Sequence, residues 1–290
     1  MIGERRSEDG NHDPSLTDPM PEPARIRLRL AAGHQLLAIF PMNVYESDAL
    51  VDQYLLFHYG EGEDQLPYPF GPHDALFYPI RCVTEFVPLI GRVDRALDLG
   101  CAVGRSTFEL ARTVPEVIGI DLSQRFISAT LEIQRTGQIR FRRHEEGTIY
   151  TAVLRQLDPA IDRTRCRFEV GDALLLRSDL GAFDFILAAN LIDRVNSPAE
   201  LLLSLRRSLN PGGHLLITSP YTWLSEFTSP EQWLGARESW SNTTTLQAIQ
   251  EQLGNEFELI SSKELPFLIR EHVRKYQWSV AQSSLWKKIA

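Results

Sequence analysis

The stretch ALDLGCAVGRSTFELAR, residues 96–112, constrains the fold of this chain more than any other. Ala96–Leu99 has the length of a short buried strand, Gly100 and Gly104 bracket a turn, and Gly104–Thr113 reads as a helix. Glycine at both ends of the turn lets the backbone bend tightly and approach a ligand. The same alternation continues downstream. Val117–Asp121, Phe168–Val170, Phe183–Ala189 and His214–Ser219 read as strands; Gln124–Thr136, Ala199–Ser208 and Thr243–Leu253 read as helices. Strand, helix, strand, helix predicts parallel strands with crossover helices. Two long strand-like runs, Phe257–Leu268 and Tyr276–Trp286, are joined only by REHVRK and predict an antiparallel hairpin.

The turn reads Gly-Cys-Ala-Val-Gly, a GxxxG spacing rather than the GxGxxG of nicotinamide-binding loops. Asp98 precedes it. A carboxylate there repels a pyrophosphate but suits a ligand that carries an ammonium group and a sulfonium, which points to S-adenosylmethionine (SAM). Asp121 ends the second strand, seventeen residues beyond Gly104, where an acid accepts hydrogen bonds from two ribose hydroxyls. Gly171-Asp172-Ala173 puts another acid where an adenine amino group would sit, and Leu209-Asn210-Pro211-Gly212-Gly213 is the turn that often precedes the fifth strand of SAM enzymes. Singly, each signal has a plain alternative: Asp98 can cap a helix, and a glycine loop fits a Rossmann-like domain without SAM. DLGCAVG, IDLS, GDA and NPGG in this order select SAM. The expected cofactor-binding residues are Asp98, Gly100, Cys101, Ala102, Gly104, Arg105, Asp121, Leu122, Asp172, Ala173 and Asn190, with S-adenosylhomocysteine (SAH) as product. The expected fold class is α/β: a Rossmann-like class I SAM methyltransferase with seven mostly parallel strands, the last antiparallel, and an N-terminal helical cap.

Composition narrows the partners. Asp plus Glu total 38 against 30 Lys plus Arg, a net charge of −8, which argues against nucleic acid because phosphate backbones need clustered positive charge. No apolar run approaches the roughly 18 residues of a membrane span, and the polar, Pro-rich start lacks the apolar core of a secretory signal. Cys82, Cys101 and Cys166 are scattered and the His residues show no ligand spacing. The expectation is a cytoplasmic protein with no disulfide scaffold and no metal.

Residues 1–24 are expected to be a disordered tail, 25–90 an N-terminal helical cap, and 91–290 the catalytic domain. Within the cap, IRLRL alternates like a strand, and Tyr45, Leu50, Val51, Tyr54, Leu55 and His58 recur at helical spacing, with Ser47 as a cap. A Gly/Pro loop over 60–79 precedes a helix from Ile80 to Leu89. Residues 137–165 exceed what a crossover needs; a solvated insertion is the expectation, with an adenosine cap or an oligomer contact as alternatives.

Several stretches resemble one family: VYESDALVDQYLLFHYG (44–60), FYPIRC (77–82), ALDLGCAVGRSTFELAR (96–112), ANLIDR (189–194), TSPYTWLSEFT (218–228) and FLIREHVRKYQWSV (267–280). They are similar to the methyltransferase portion of ovothiol biosynthesis enzymes, the 5-thiohistidine (4-mercaptohistidine) N-methyltransferases. The resemblance runs from about residue 40 onward. It implies methylation of the imidazole nitrogen next to the side-chain-bearing carbon of 5-thiohistidine, or of its selenium analogue. The fused members of that family carry a non-haem iron domain that forms the C–S bond. No such motif occurs in these residues, so the resemblance implies a stand-alone methylating protein, with a separate enzyme forming the C–S or C–Se bond. The alternatives are a methyltransferase for another small acid or amine, and a non-catalytic SAM-binding module.

A zwitterionic substrate with a flat ring and a soft anion asks for a guanidinium, an acid, aromatic walls and donors near sulfur. Ligands of open α/β sheets bind at the carboxyl ends of the strands, so the loops there supply the candidates. Asn190 ends the apolar run FILAA and can hold the ring nitrogen or the methionine end of SAM. Asp193 and Arg194 follow; a surface ion pair is their alternative reading. Tyr221 and Trp223 can stack on the imidazole or face the sulfonium, with core packing as the alternative for Trp223, and Glu226 lies just beyond. Arg270, at the final hairpin with His272, is the expected bidentate partner of the substrate carboxylate. Tyr54, His58 and Tyr59, with Tyr45 one turn or more earlier, belong to a helix expected to close over the site. Asn190, Tyr54 and Tyr221 are the expected catalytic residues; the others bind substrate. His58 can instead be an ordinary core histidine.

Overall fold

The structure, a computed structural model, describes residues 46–235 and 242–289. The tail and strand expected before residue 43, and Tyr45, lie outside the described residues. What is described belongs to one compact unit, Met42–Ala290.

Helix α1 (Asp48–Tyr59) begins where Ser47 accepts the Leu50 N–H at 3.3 Å, with Asp48 in the first turn against the positive helix end. The Gly/Pro segment after it holds the single-turn helix α2 (Gly62–Gln65) and leads to α3 (Tyr78–Thr84). The helix expected to reach Leu89 stops early. Pro88 lacks the amide hydrogen that would bond the Thr84 carbonyl, and the chain leaves helical torsions at Phe86 (φ −122°), so Val87–Leu89 is a separate 3-10 turn. Then come β1 (Arg95–Leu99), α4 (Arg105–Leu110), β2 (Glu116–Asp121), α5 (Gln124–Thr136), β3 (Gln138–Glu146), β4 (Ile149–Gln156), β5 (Cys166–Val170), β6 (Phe183–Ala189), α6 (Pro198–Ser208), β7 (Leu209–Ser219), α7 (Thr245–Leu253), β8 (Phe257–His272) and β9 (Lys275–Lys288).

Seven strands form one sheet in the order β5-β2-β1-β6-β7-β9-β8. The first five run parallel, and β9 is antiparallel to both β7 and β8. Period-2 alternation sends successive side chains to opposite faces. Along β1, Ala96 joins the core beneath α1, α3, α4 and α5, whereas Leu97 and Leu99 join the core beneath α6 and α7. Asp98 therefore faces the α4 side, where an apolar residue would be expected. No helix among the described residues is long and apolar enough to cross a membrane.

Residues 137–165 are not a solvated insertion. β3 and β4 pair as a two-stranded sheet that buries Ile139, Phe141 and Val153 in the main core. Their charged residues are tied down as well. Arg142 donates to Asp52 of α1, and Arg143 and Arg155 both donate to the buried Asp64 of α2. β8 and β9 also continue past Ser219, the last residue of β7 to pair with β9, and pack Leu265 and Phe267 against the same core.

Candidate active site

The glycine turn hangs on the end of β2. Gly100 and Cys101 both donate to the Ile120 carbonyl, at 2.8 and 3.1 Å, and the Ala102 N–H donates to Asp121 Oδ2 at 2.8 Å. Gly100 (φ +76°), Ala102 (φ +48°) and Gly104 (φ +79°) all take left-handed torsions. At Gly104 the bare Cα serves packing and not ligand approach: a Cβ there would lie 2.5 Å from Thr130 Cγ2.

Two acids flank this turn. Asp98 is buried and accepts the Thr107 hydroxyl at 2.6 Å. Burial pushes its pKa up to about 7 against that hydrogen bond, and the nearby Asp121 adds to the rise. No lysine or arginine pairs with Asp98 among the described residues. Burial also raises Asp121, although the Ser123 and Ala102 N–H groups donate to it. A buried carboxyl with no cation of its own fits a cationic ligand such as SAM. Asp172 accepts the Leu174 N–H at 2.9 Å, Ala173 is buried beside it, and Leu122 stands exposed after Asp121. Arg105 departs from expectation. Its guanidinium lies along its own helix, 2.8 Å from Glu109 and over the Tyr59 ring, so it is held by protein partners.

Past the ends of β6 and β7 lie six of the expected residues, Asn190, Asp193, Arg194, Tyr221, Trp223 and Glu226. Asn190 (φ +51°) donates its N–H to the Thr218 carbonyl at 2.7 Å, and its Oδ1 accepts from Tyr78 Oη at 2.9 Å. Asp193 is not part of a surface ion pair. It is 0% exposed, and its Oδ2 accepts from Arg194 Nη1 and from the Thr222 N–H, both at 2.9 Å, which ties the two loops together. Its Oδ1 is buried and makes no hydrogen bond of normal geometry, although the Ser219 hydroxyl lies near enough to lower the carboxyl's pKa; the Tyr221 hydroxyl is buried without a partner. Burial raises both groups, and the Asp193 charge adds to the rise at Tyr221. Trp223 stacks on Trp233 with centroids 6.5 Å apart and reaches Thr245 with its indole N–H, which is the packing alternative; Glu226 is exposed.

On α1, the Tyr54 ring packs on Phe126 and Tyr59 donates to the Val103 carbonyl at 2.7 Å, binding the helix to the glycine turn. His58 is buried with Nδ1 unpartnered, and its pKa falls to about 3 through burial and the nearby Arg105 charge. Arg270 does not present a free guanidinium for a substrate carboxylate. It is 3% exposed and donates to Glu145 and to the Asp64 carbonyl, which leaves Nε alone without a partner. His272 sits edge-on to His144 and accepts the Arg274 N–H. Sequence reading missed Tyr78, Thr107 and Thr218. Tyr78 opens α3 within FYPIRC, and its sequence neighbourhood shows only an aromatic beside a proline.

The methyltransferase-domain family model matches residues 75–261, more than half of the chain. An uncharacterised methyltransferase of Schizosaccharomyces pombe is 26% identical over 139 residues, covering 47% of this chain and 44% of that protein. An uncharacterised 37.1 kDa protein of a Streptomyces fradiae transposon is 31% identical over 130 residues, covering 44% of this chain and 30% of that one. The chain thus spans less than half the length of these curated relatives. Among solved structures, the N-methyltransferase NodS of Bradyrhizobium japonicum in complex with SAH is similar at 16% identity and a TM-score of 0.46, covering 83% of this chain and 99% of that one.

Proposed function

This chain belongs to the methyltransferase-domain family, and on that premise we propose that it methylates an imidazole nitrogen of 5-thiohistidine or its selenium analogue. The enzyme is SAM-dependent. SAM supplies an electrophilic methyl group and is released as SAH. The observation that carries the substrate proposal is the buried, unpartnered Tyr221 Oη on the loop next to that of the buried Asp193 carboxylate. Buried polar atoms cost free energy unless they are paired, so a ligand is called for here. The carboxylate asks for a donor such as a substrate ammonium, and the hydroxyl offers a proton to an acceptor.

The chain's own work is mostly placement. Asp98 and Asp121 are the acids for the cationic and ribose parts of SAM, and the Gly100–Gly104 turn shapes the ledge between them. Asn190 lies between that ledge and the Asp193–Tyr221 pair in chain order and in the sheet. Proximity dominates because the attacking nitrogen must come within about 3–3.5 Å of the methyl carbon. A thiolate on the ring already raises the electron density of that nitrogen, so no strong base is required of the protein. In this proposal α1 and the two hairpins form the cap, and the C–S or C–Se bond is made by another activity.

The test is incubation with SAM and 5-thiohistidine, with histidine as control, read by mass spectrometry. One added methyl on the thiolated substrate together with SAH is expected. Methylation of histidine alone overturns the substrate.

A further inference from the structure

The methyltransferase reading leaves unexplained a buried polar chain that reaches Asn190 from the N-terminal side of the protein. Tyr78 is 3% exposed at the first position of α3. Its hydroxyl lies 2.6 Å from Thr218 Oγ1 and 2.9 Å from Asn190 Oδ1. Burial keeps this phenol protonated, raising its pKa well above the ordinary value. Asn190 Oδ1 can only accept, so in this amide orientation the phenol proton goes to it and Thr218 donates to the phenol oxygen, with the buried Cys82 thiol as a further neighbour of the hydroxyl. Thr218 holds Asn190 a second time through its carbonyl, which accepts the Asn190 N–H at 2.7 Å. The Tyr78 ring is itself wedged, 6.0 Å from Phe57 and 4.9 Å from Phe267. One residue further on, the Pro79 carbonyl accepts the Ser106 hydroxyl of α4 at 2.9 Å, so the same turn grips the helix behind the glycine loop.

We propose that Tyr78 is a positioning residue whose hydroxyl, relayed from Thr218, fixes the Asn190 side-chain amide so that it presents N–H donors, and never its oxygen, to the bound reactants. An amide held this way accepts no proton, and because an N–H donor covers any lone pair it engages, it is aimed at an atom other than the attacking nitrogen. It binds an atom rich in electrons: a carboxylate oxygen or the soft anion of the substrate. Asn190 thus selects and aligns, and proton removal is left to water or to the substrate itself. The position of Asn190 as the residue beside methyl transfer rests on the proposed function; the orientation of its amide does not.

The experiment compares Tyr78→Phe, Thr218→Val and Thr218→Ser with the parent enzyme. In the SAH-bound, 15N-asparagine-labelled protein, the side-chain amide pair is assigned by its loss in Asn190→Ala. It is expected to shift in Tyr78→Phe and Thr218→Val and to stay in place in Thr218→Ser. In turnover, Tyr78→Phe is expected to lose about ten- to a hundredfold in kcat while SAM affinity changes less than about threefold. Tyr78→Phe combined with Asn190→Ala is expected to be no worse than Asn190→Ala alone. An amide pair that does not move in Tyr78→Phe overturns the proposal, whatever the substrate. So does additivity of the two substitutions. A parent enzyme that leaves 5-thiohistidine untouched while the amide pair still moves overturns the substrate reading and leaves this one standing.

Discussion

Thr107 donates its hydroxyl proton to Asp98 Oδ2 at 2.6 Å on the sheet face that carries α4, and burial nonetheless holds the carboxyl up to about 7. A bound cation reverses that balance, because it favours the ionised form.

SAM affinity therefore depends on pH with a definite sign. Above about 7 the Asp98 carboxylate is already ionised and affinity is flat. Below it, binding must expel a proton, and affinity falls by up to about tenfold per pH unit. Calorimetry in buffers of different ionisation enthalpy is expected to show proton release near pH 6 and none near pH 8. Asp98→Asn is expected to weaken binding and erase the dependence.

Gly104 and Gly212 separate two costs of adding a methyl group. Their torsions are nearly equal, at φ +79° and +80°, but a Cβ at Gly212 meets nothing within 4 Å while one at Gly104 meets Thr130 at 2.5 Å. Gly212→Ala should cost the left-handed strain alone, about 1–2 kcal/mol. Gly104→Ala should cost a further 1–3 kcal/mol, roughly, for overpacking, and should also displace the SAM turn. Chemical denaturation of the two variants reads the difference directly.

His58 imposes an acid limit on stability. Its pKa falls from 6.5 in the unfolded chain to about 3 in the fold, so the folded state resists taking up a proton. Stability is whole above 6.5 and declines as pH drops towards 3, by about 1.4 kcal/mol per unit for this one group. His58→Phe is expected to flatten that part of the stability profile. An unchanged slope between pH 6 and 4 would show that the ring is hydrated in the fold.

Asp64 holds the β3–β4 hairpin through Arg143 and Arg155, and its own carbonyl accepts from Arg270. Its side chain is 2% exposed. Asp64→Asn removes the buried carboxylate that both guanidinium groups share, leaving Arg143 on Glu145 and Arg155 on the more distant Glu61, and is expected to destabilise by about 1–3 kcal/mol. Limited proteolysis should then cut first within 138–156.

The sequence shows its periodic elements plainly. Gln124–Thr136 and Phe183–Ala189 fall where their apolar spacing places them, and Ser47 caps α1 because a short polar side chain next to an acidic first turn has few other uses. The two acids beside the glycine turn are equally legible. β3 and β4 are the partial case, since Ile139 and Phe141 alternate with arginines before the turn at Gly147. That alternation is a strand signal, but nothing local says which core the apolar face will meet. What stayed hidden depends on partners far away in the chain. The apolar run up to Arg270 suggests a charge delivered to a ligand, and the fold delivers it to Glu145, 125 residues away. The role of Tyr78 exists only through residues 112 and 140 positions distant.

The substrate is decided by where the methyl group goes. SAM carrying a 13C-labelled methyl, incubated with the enzyme and 5-thiohistidine and followed by NMR, is predicted to yield a labelled methyl bonded to an imidazole nitrogen, with SAH formed in equal amount. Label on the sulfur, label on the α-amino group, or no transfer at all would contradict it.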